Sequence, residues 1–187
     1  CGPTQQQINE ILIERGRQVD CVVRLKSGDP HVFGRAAEEL DALIAAGVAV
    51  EVVPGVSSAI AAPAAAGIPL TTRRASSGFT VITAHQDPAN DRKLDWDALA
   101  RAGTTLVVLM GAARARAVAE RLMAGGMAPH TPVAVVVDAT RDTQEVTRTT
   151  LERLGVEPVR SPATIVIGAV AALDLRSLVL AAEGSAG

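Results

Sequence analysis

Aromatic side chains are almost missing from this chain: of 187 residues none is tyrosine, one is tryptophan and two are phenylalanine. A core must therefore be built from alanine, valine, leucine and isoleucine, and an apolar content of 48% supplies enough of them for one large domain or two small ones. Charge of one sign is missing as well. A net charge of −2 and a pI near 5.9 offer no basic footprint for nucleic acid or for an acidic membrane surface, so neither is expected as a partner. Only two cysteines are present, Cys1 and Cys21, and they form no CxxC pair, which excludes a disulfide framework and suits a reducing cytoplasm.

His31, His85 and His130 stand far apart, with no carboxylate at ligand spacing on a shared helix, so no metal site is expected. The longest apolar stretches, such as 59–66, fall well short of a membrane span. No GxGxxG follows a predicted strand, no Walker lysine loop occurs and no GxSxG elbow is found. Hydride transfer on a Rossmann fingerprint, P-loop hydrolysis and α/β-hydrolase chemistry all lose their sequence basis. The amino end shows neither an initiator methionine nor a signal-peptide pattern, and the chain reads as a fragment of a longer protein.

What is present is an α/β alternation. Thr4-Gln5-Gln6-Gln7 offers a capping box for a helix from about Gln5 to Arg17, with Ile8, Ile11 and Leu12 on one stripe. The β-branched runs Val19–Leu25 and Val48–Val53 predict strands on either side of a helix over 36–46. Further on, strands are expected over 79–84, 104–110, 133–137, 144–150 and 163–167. Helices are expected after Ser57 or Ser58 and over 95–102, 112–123 and 169–173. The organisation predicted is the carboxyl half of an α/β domain over 1–54, a second α/β domain with a mixed sheet over 55–180, and a disordered tail over 181–187.

Between the first predicted strand and the helix that follows lies Ser27-Gly28-Asp29-Pro30-His31-Val32-Phe33-Gly34-Arg35. Loops beyond the carboxyl ends of strands are where open α/β sheets hold ligands, which makes this the first place to look for a site. Gly28 lacks a Cβ and lets a ligand approach the backbone, Asp29 is an acceptor for ammonium or hydroxyl groups, and Pro30 keeps the turn bent.

The order Arg24-Leu25-Lys26-x-Gly28-Asp29-Pro30, Phe33-Gly34-Arg35, Ile60-Ala61-Ala62-Pro63 and Ala66-Gly67-Ile68-Pro69-Leu70-Thr71 resembles the tetrapyrrole methylases, nearest the branch that acts on uroporphyrinogen III. The likeness runs from about Thr4 to Leu175. It implies a two-domain methylase fold, with the amino-terminal domain truncated here, and C-methylation of uroporphyrinogen III to precorrin-2 with S-adenosylmethionine as donor. By the same resemblance Ser27, Gly28, Asp29, Val32, Ser57, Ser58, Met110 and Ala139 are the cofactor residues. The implied assembly is a cytoplasmic homodimer.

A substrate with eight carboxylates calls for arginine forks, and Arg35, Arg73 and Arg74 are the expected ones. Two departures from the family pattern stand out. Ser27 and Ala139 each occupy a place where glycine is commoner. The family's acid/base pair falls ahead of Cys1, so no catalytic residue is assigned here and residues 1–187 are expected to be inactive alone. Two other readings remain open: another precorrin methyltransferase of the cobalamin pathway, and a non-catalytic S-adenosylmethionine-binding module.

Overall fold

The computed structural model describes residues 2–175; the tail expected over 181–187 lies outside the described residues. The chain separates into two compact units that divide between Ser57 and Ser58.

In the first unit, α1 (Gln5–Gln18) starts at Thr4, whose hydroxyl accepts from the Gln7 amide while the Gln7 side chain accepts from the Thr4 amide. This is the capping box anticipated from the sequence. α2 (Ala36–Ala45) follows the loop that begins at Ser27. It is tied to α1 by Asn9 Nδ2 donating to the Glu38 carbonyl at 3.2 Å and Arg17 donating to the Ala46 carbonyl at 3.1 Å.

The strands expected over Val19–Leu25 and Val48–Val53 do not form. Among the described residues, neither 20–26 nor 49–54 makes a backbone ladder with any other segment. The valines make both stretches willing to be extended, but a strand exists only through its neighbour, and the sequence pattern carries no information about whether that neighbour is present. The two stretches line a groove of about 600 Å³ together with residues of α1 and α2. Several of their side chains are exposed, Val23 and Leu25 most of all.

The second unit is a five-stranded mixed sheet with helices on both faces. Its elements are α3 (Ser58–Ala65), β1 (Phe79–Thr83), α4 (Trp96–Arg101), β2 (Thr105–Leu109), α5 (Ala115–Ala124), β3 (Pro132–Val137), β4 (Glu145–Thr150) and β5 (Ala163–Ile167). Short 3-10 turns precede α5 and follow β4 and β5. The sheet order is β1-β2-β5-β3-β4, with β1 and β2 parallel and every other pair antiparallel.

β2, β3 and β5 are apolar on both faces, as strands covered on both sides must be. Leu106, Val108, Val133, Val135, Ile165 and Ile167 point into one core with Trp96, Val118 and Leu122 of α4 and α5. The alternate residues Ala134, Val136 and Val166 meet Ala62 of α3 and Ala66 just after it on the other face. β1 and β4 form the edges, and no residue of β4 is fully buried; its exposure does not alternate strictly, unlike its sequence pattern.

The strand directions fix what gathers at each end of the sheet. β1, β2 and β3 run the same way, so their carboxyl ends, at Ala84-His85, Met110-Gly111 and Asp138-Ala139, lie along one edge. The Ala84 amide donates to the Leu109 carbonyl at 3.0 Å and joins the first two of these ends. Gly78, Thr104 and Pro132 mark the opposite edge.

Candidate cofactor site

In the first unit the loop after Lys26 folds around one carboxylate. Asp29 Oδ1 accepts from the His31 amide at 2.8 Å and Oδ2 from the Gly55 amide at 3.1 Å, while the Asp29 carbonyl accepts from Val32 at 3.2 Å. The His31 bond is an Asx turn, the local habit of aspartate in tight loops. The Gly55 bond is not local; it fastens the loop to the Pro54-Gly55-Val56-Ser57 segment. The amides of His31 and Gly55 hold the Asp29 carboxyl below the ordinary carboxylate range.

Gly28 has φ 73°, the left-handed region, and its carbonyl would lie 2.2 Å from a Cβ placed on Gly55. Two backbones thus meet directly, an approach that only a glycine at position 55 permits. Ser27 and Val32 are exposed on this loop, and Ser57 is buried directly ahead of the first residue of α3, Ser58. Within the first unit the structure therefore brings together Ser27, Gly28, Asp29, Val32 and the segment leading to Ser57.

Arg35 closes the loop with φ 58° and forms a two-pronged pair with Glu38, Nε to Oε1 at 2.9 Å and Nη2 to Oε2 at 2.5 Å. Both side chains are more than half exposed. Arg35 holds the Glu38 carboxyl below its ordinary range, and the guanidinium is engaged rather than free.

In the second unit Met110 and Ala139 both sit at the carboxyl edge of the sheet. Met110 is half exposed and has φ 54°, uncommon for a non-glycine residue. Strain of this kind is concentrated at functional sites. Ala139 is half-buried and packs against the core on the α3 face.

On either side of Ala139, Asp138 and Thr140 have positive φ, and side chains brace the turn. Asp138 Oδ2 accepts from Arg160 at 2.6 Å and from the Thr143 hydroxyl at 3.2 Å, and the Thr140 amide donates to Gln144 at 2.8 Å. Arg160, and after it Thr143, holds the buried Asp138 carboxyl below the ordinary range.

Arg73 and Arg74 lie elsewhere. They form the exposed tip of a turn closed by the Thr72–Ser76 bridge, and the Ser76 hydroxyl accepts from the Thr105 amide, at the amino end of β2. The pair therefore sits at the sheet edge opposite Met110 and Ala139. Sequence reasoning passed over a cation at the carboxyl edge. Arg114, half-buried at the start of α5, donates Nε to the His85 carbonyl at 3.3 Å and, among the described residues, forms no salt bridge. Gly55, Asp138 and Glu39 were also passed over. Gly55 and Asp138 lay beside residues expected in the site but carried no signal of their long-range partners, and Glu39 had only its place on α2.

A family model described as Tetrapyrrole (Corrin/Porphyrin) Methylases matches residues 2–155. The chain belongs to the tetrapyrrole methylases. It is 48% identical over 172 residues to an S-adenosyl-L-methionine-dependent uroporphyrinogen III methyltransferase of Methanosarcina barkeri, with 89% of this chain and 68% of that protein covered. It is 45% identical to a uroporphyrinogen-III C-methyltransferase of Pseudomonas aeruginosa, covering 91% of this chain and 71% of the relative. Against a siroheme synthase of Edwardsiella ictaluri the identity is 44%, and the chain spans only 38% of that longer protein.

Among solved structures, uroporphyrin-III C-methyl transferase of Thermus thermophilus complexed with S-adenyl homocysteine superposes with a TM-score of 0.78 at 38% identity, covering 89% of this chain and 74% of that one. A cobalt precorrin-4 methyltransferase gives a TM-score of 0.83 at 27% identity over 92% of this chain and 74% of that one.

Proposed function

We propose that the protein methylates carbon atoms of uroporphyrinogen III to give precorrin-2, with S-adenosylmethionine as methyl donor. The observation that carries the reading is the Ser27–Val32 loop closed by Asp29 on Gly55, in a chain 48% identical to a relative named for that reaction. Bound there, S-adenosylmethionine supplies an electrophilic methyl on a sulfonium, which an electron-rich pyrrole carbon takes in line.

The residues of this chain bind and orient; positioning supplies much of the acceleration in such transfers. Ser27, Gly28, Asp29, Val32, Ser57, Ser58, Met110 and Ala139 are the residues proposed to hold the donor. Asp29 acts through its carboxylate geometry, presenting the loop's backbone groups. No acid/base residue is assigned within this chain.

The substrate's carboxylates need cations. Arg35, Arg73 and Arg74 are proposed for this, and Arg114 joins them because, among the described residues, no salt bridge neutralises it. Alanine at Arg114 is expected to raise KM for uroporphyrinogen III and leave S-adenosylhomocysteine affinity unchanged. The double substitution of Arg73 and Arg74 tests the other edge of the sheet.

Calorimetry with S-adenosylhomocysteine, followed by a methyl-transfer assay on uroporphyrinogen III with the full-length protein, tests the whole reading. Binding with transfer is the expected result. Binding without transfer to any tetrapyrrole would make the protein a binding module. Transfer only to later corrin precursors would favour the second reading, for which the TM-score of 0.83 against cobalt precorrin-4 methyltransferase speaks. By the same family analogy the protein works as a cytoplasmic homodimer, which light scattering tests for assembly.

A further inference from the structure

Among the described residues, no sheet holds the stem of the cofactor loop. Residues 20–26 make no backbone hydrogen bond to another segment, yet they lead straight into Ser27. Among the described residues, their hydrogen bonds to the rest of the unit all end on a single carboxylate, that of Glu39 on α2. Lys26 Nζ reaches Oε2 at 2.8 Å, while Arg24 reaches Oε1 with Nε at 3.3 Å and Nη2 at 3.2 Å. A fourth donor, Gln5 Nε2 of α1, meets the same Oε1 at 3.3 Å.

The burial of the partners says which of these bonds matters most. The Glu39 side chain is 6% exposed and that of Lys26 11%, whereas Arg24 is 41% exposed and can turn to water. Lys26 has no such escape. A buried ammonium keeps its place only where its counter-charge is, and truncating one partner of such a pair leaves the other uncompensated. Burial alone would push the Glu39 carboxyl up, but Lys26, then Gln5 and Arg24, outweigh it and keep the group ionised. The neighbouring Arg35–Glu38 pair has the same chemistry on an exposed surface, where such pairs contribute little.

We propose that Glu39 is a positioning residue for the cofactor loop, fixing the residue before Ser27 through Lys26, much as Asp29 fixes the loop's tip through Gly55. It touches neither donor nor substrate. The proposal rests on the Ser27–Val32 loop being the S-adenosylmethionine site, and its test separates the two.

Glu39→Gln keeps the shape and removes the charge. Amide hydrogen exchange at His31 and Val32, both bonded within the loop, is expected to quicken by about tenfold, with α1 and α2 amides at their parental rates. The dissociation constant for S-adenosylhomocysteine rises in step, KM for S-adenosylmethionine rises, and kcat at saturating donor stays near the parental value. Lys26→Met should reproduce the loop effect, and Glu38→Gln should leave it unchanged. Parental exchange at His31 and Val32 in both Glu39→Gln and Lys26→Met would overturn the proposal, and so would an equal rise across α1, α2 and the loop. If the unsubstituted protein fails to bind S-adenosylhomocysteine, the functional reading falls, while the exchange data still decide the role of Glu39.

Discussion

Asp29 and Gly55 are 26 residues apart and joined by one hydrogen bond, Gly55 amide to Asp29 Oδ2 at 3.1 Å. The same carboxylate closes its own turn on His31, so one side chain sets both the shape of the loop and what it lies against. Removing it therefore frees two backbone donors together.

Asp29→Ala is expected to weaken S-adenosylhomocysteine binding by about tenfold or more, the scale of losing hydrogen bonds to a charged group. Asp29→Asn keeps one acceptor oxygen and should fall between the two. Isothermal titration of the three proteins checks the order, and unchanged affinity in Asp29→Ala would remove the residue from the site.

Gly55→Ala places a methyl where the Gly28 carbonyl oxygen lies 2.2 Å away, a backbone contact that no side-chain rotation relieves. The loop and the 54–57 segment must part. Binding of S-adenosylhomocysteine should be lost while the second unit stays folded. The single tryptophan, Trp96, is buried in the core of that second unit alone, so its emission should not change. A shifted emission maximum would mean the damage spreads beyond the loop.

The sign of the pH dependence follows from Asp138. Arg160 and Thr143 depress its folded carboxyl below the unfolded value, so its contribution to stability is complete above the ordinary carboxylate range and drains away as pH falls through the lowered one. Asp29 and Glu39 act in the same sense. Denaturant midpoints followed by Trp96 emission should fall on acidification from neutral pH, and Asp138→Asn should flatten the acid limb of that curve. An identical acid limb in the variant would show that the Asp138–Arg160 pair adds nothing.

Among the described residues, 20–26 and 49–54 have valine-rich sequences but no ladder, so their amides should exchange with solvent within the earliest time points. Those of β2, β3 and β5, paired on both sides and buried, should be the slowest in the chain. Slow exchange at Val22 or Val52 would show pairing that this fold does not contain.

Leu122→Ala empties part of the core shared by α4, α5 and the sheet, where Leu122 has no exposed surface. A loss of about 2–5 kcal/mol is expected, read as a lowered denaturant midpoint. A change near zero would mean that the core collapses around the missing methyls.

Much of the fold was legible because its signals are local. The capping box at Thr4, Asp95 ahead of α4, the uniform valine runs of β2 and β3 and the period-2 pattern of β4 each specify an element from a few neighbouring residues. The loop from Ser27 to Val32 was legible for the same reason, since glycine, aspartate and proline in that order dictate a turn. Pairing is a different kind of fact. Val19–Leu25 has the composition of a strand and is not one, because a ladder needs a partner that composition does not name.

The direction of each strand was equally invisible, and it alone decides that Met110 and Ala139 share an edge from which Arg73 and Arg74 are excluded. Long-range side-chain ties complete the list. Nothing around Glu39 in the sequence says that Arg24, Lys26 and Gln5 will converge on it, or that Asp29 will reach Gly55. The sequence by itself determined most of the elements, the loop and the family, all of which rest on short-range chemistry. Tertiary structure decided which carboxylates hold that loop in place, because burial and charge pairing depend on what packs alongside.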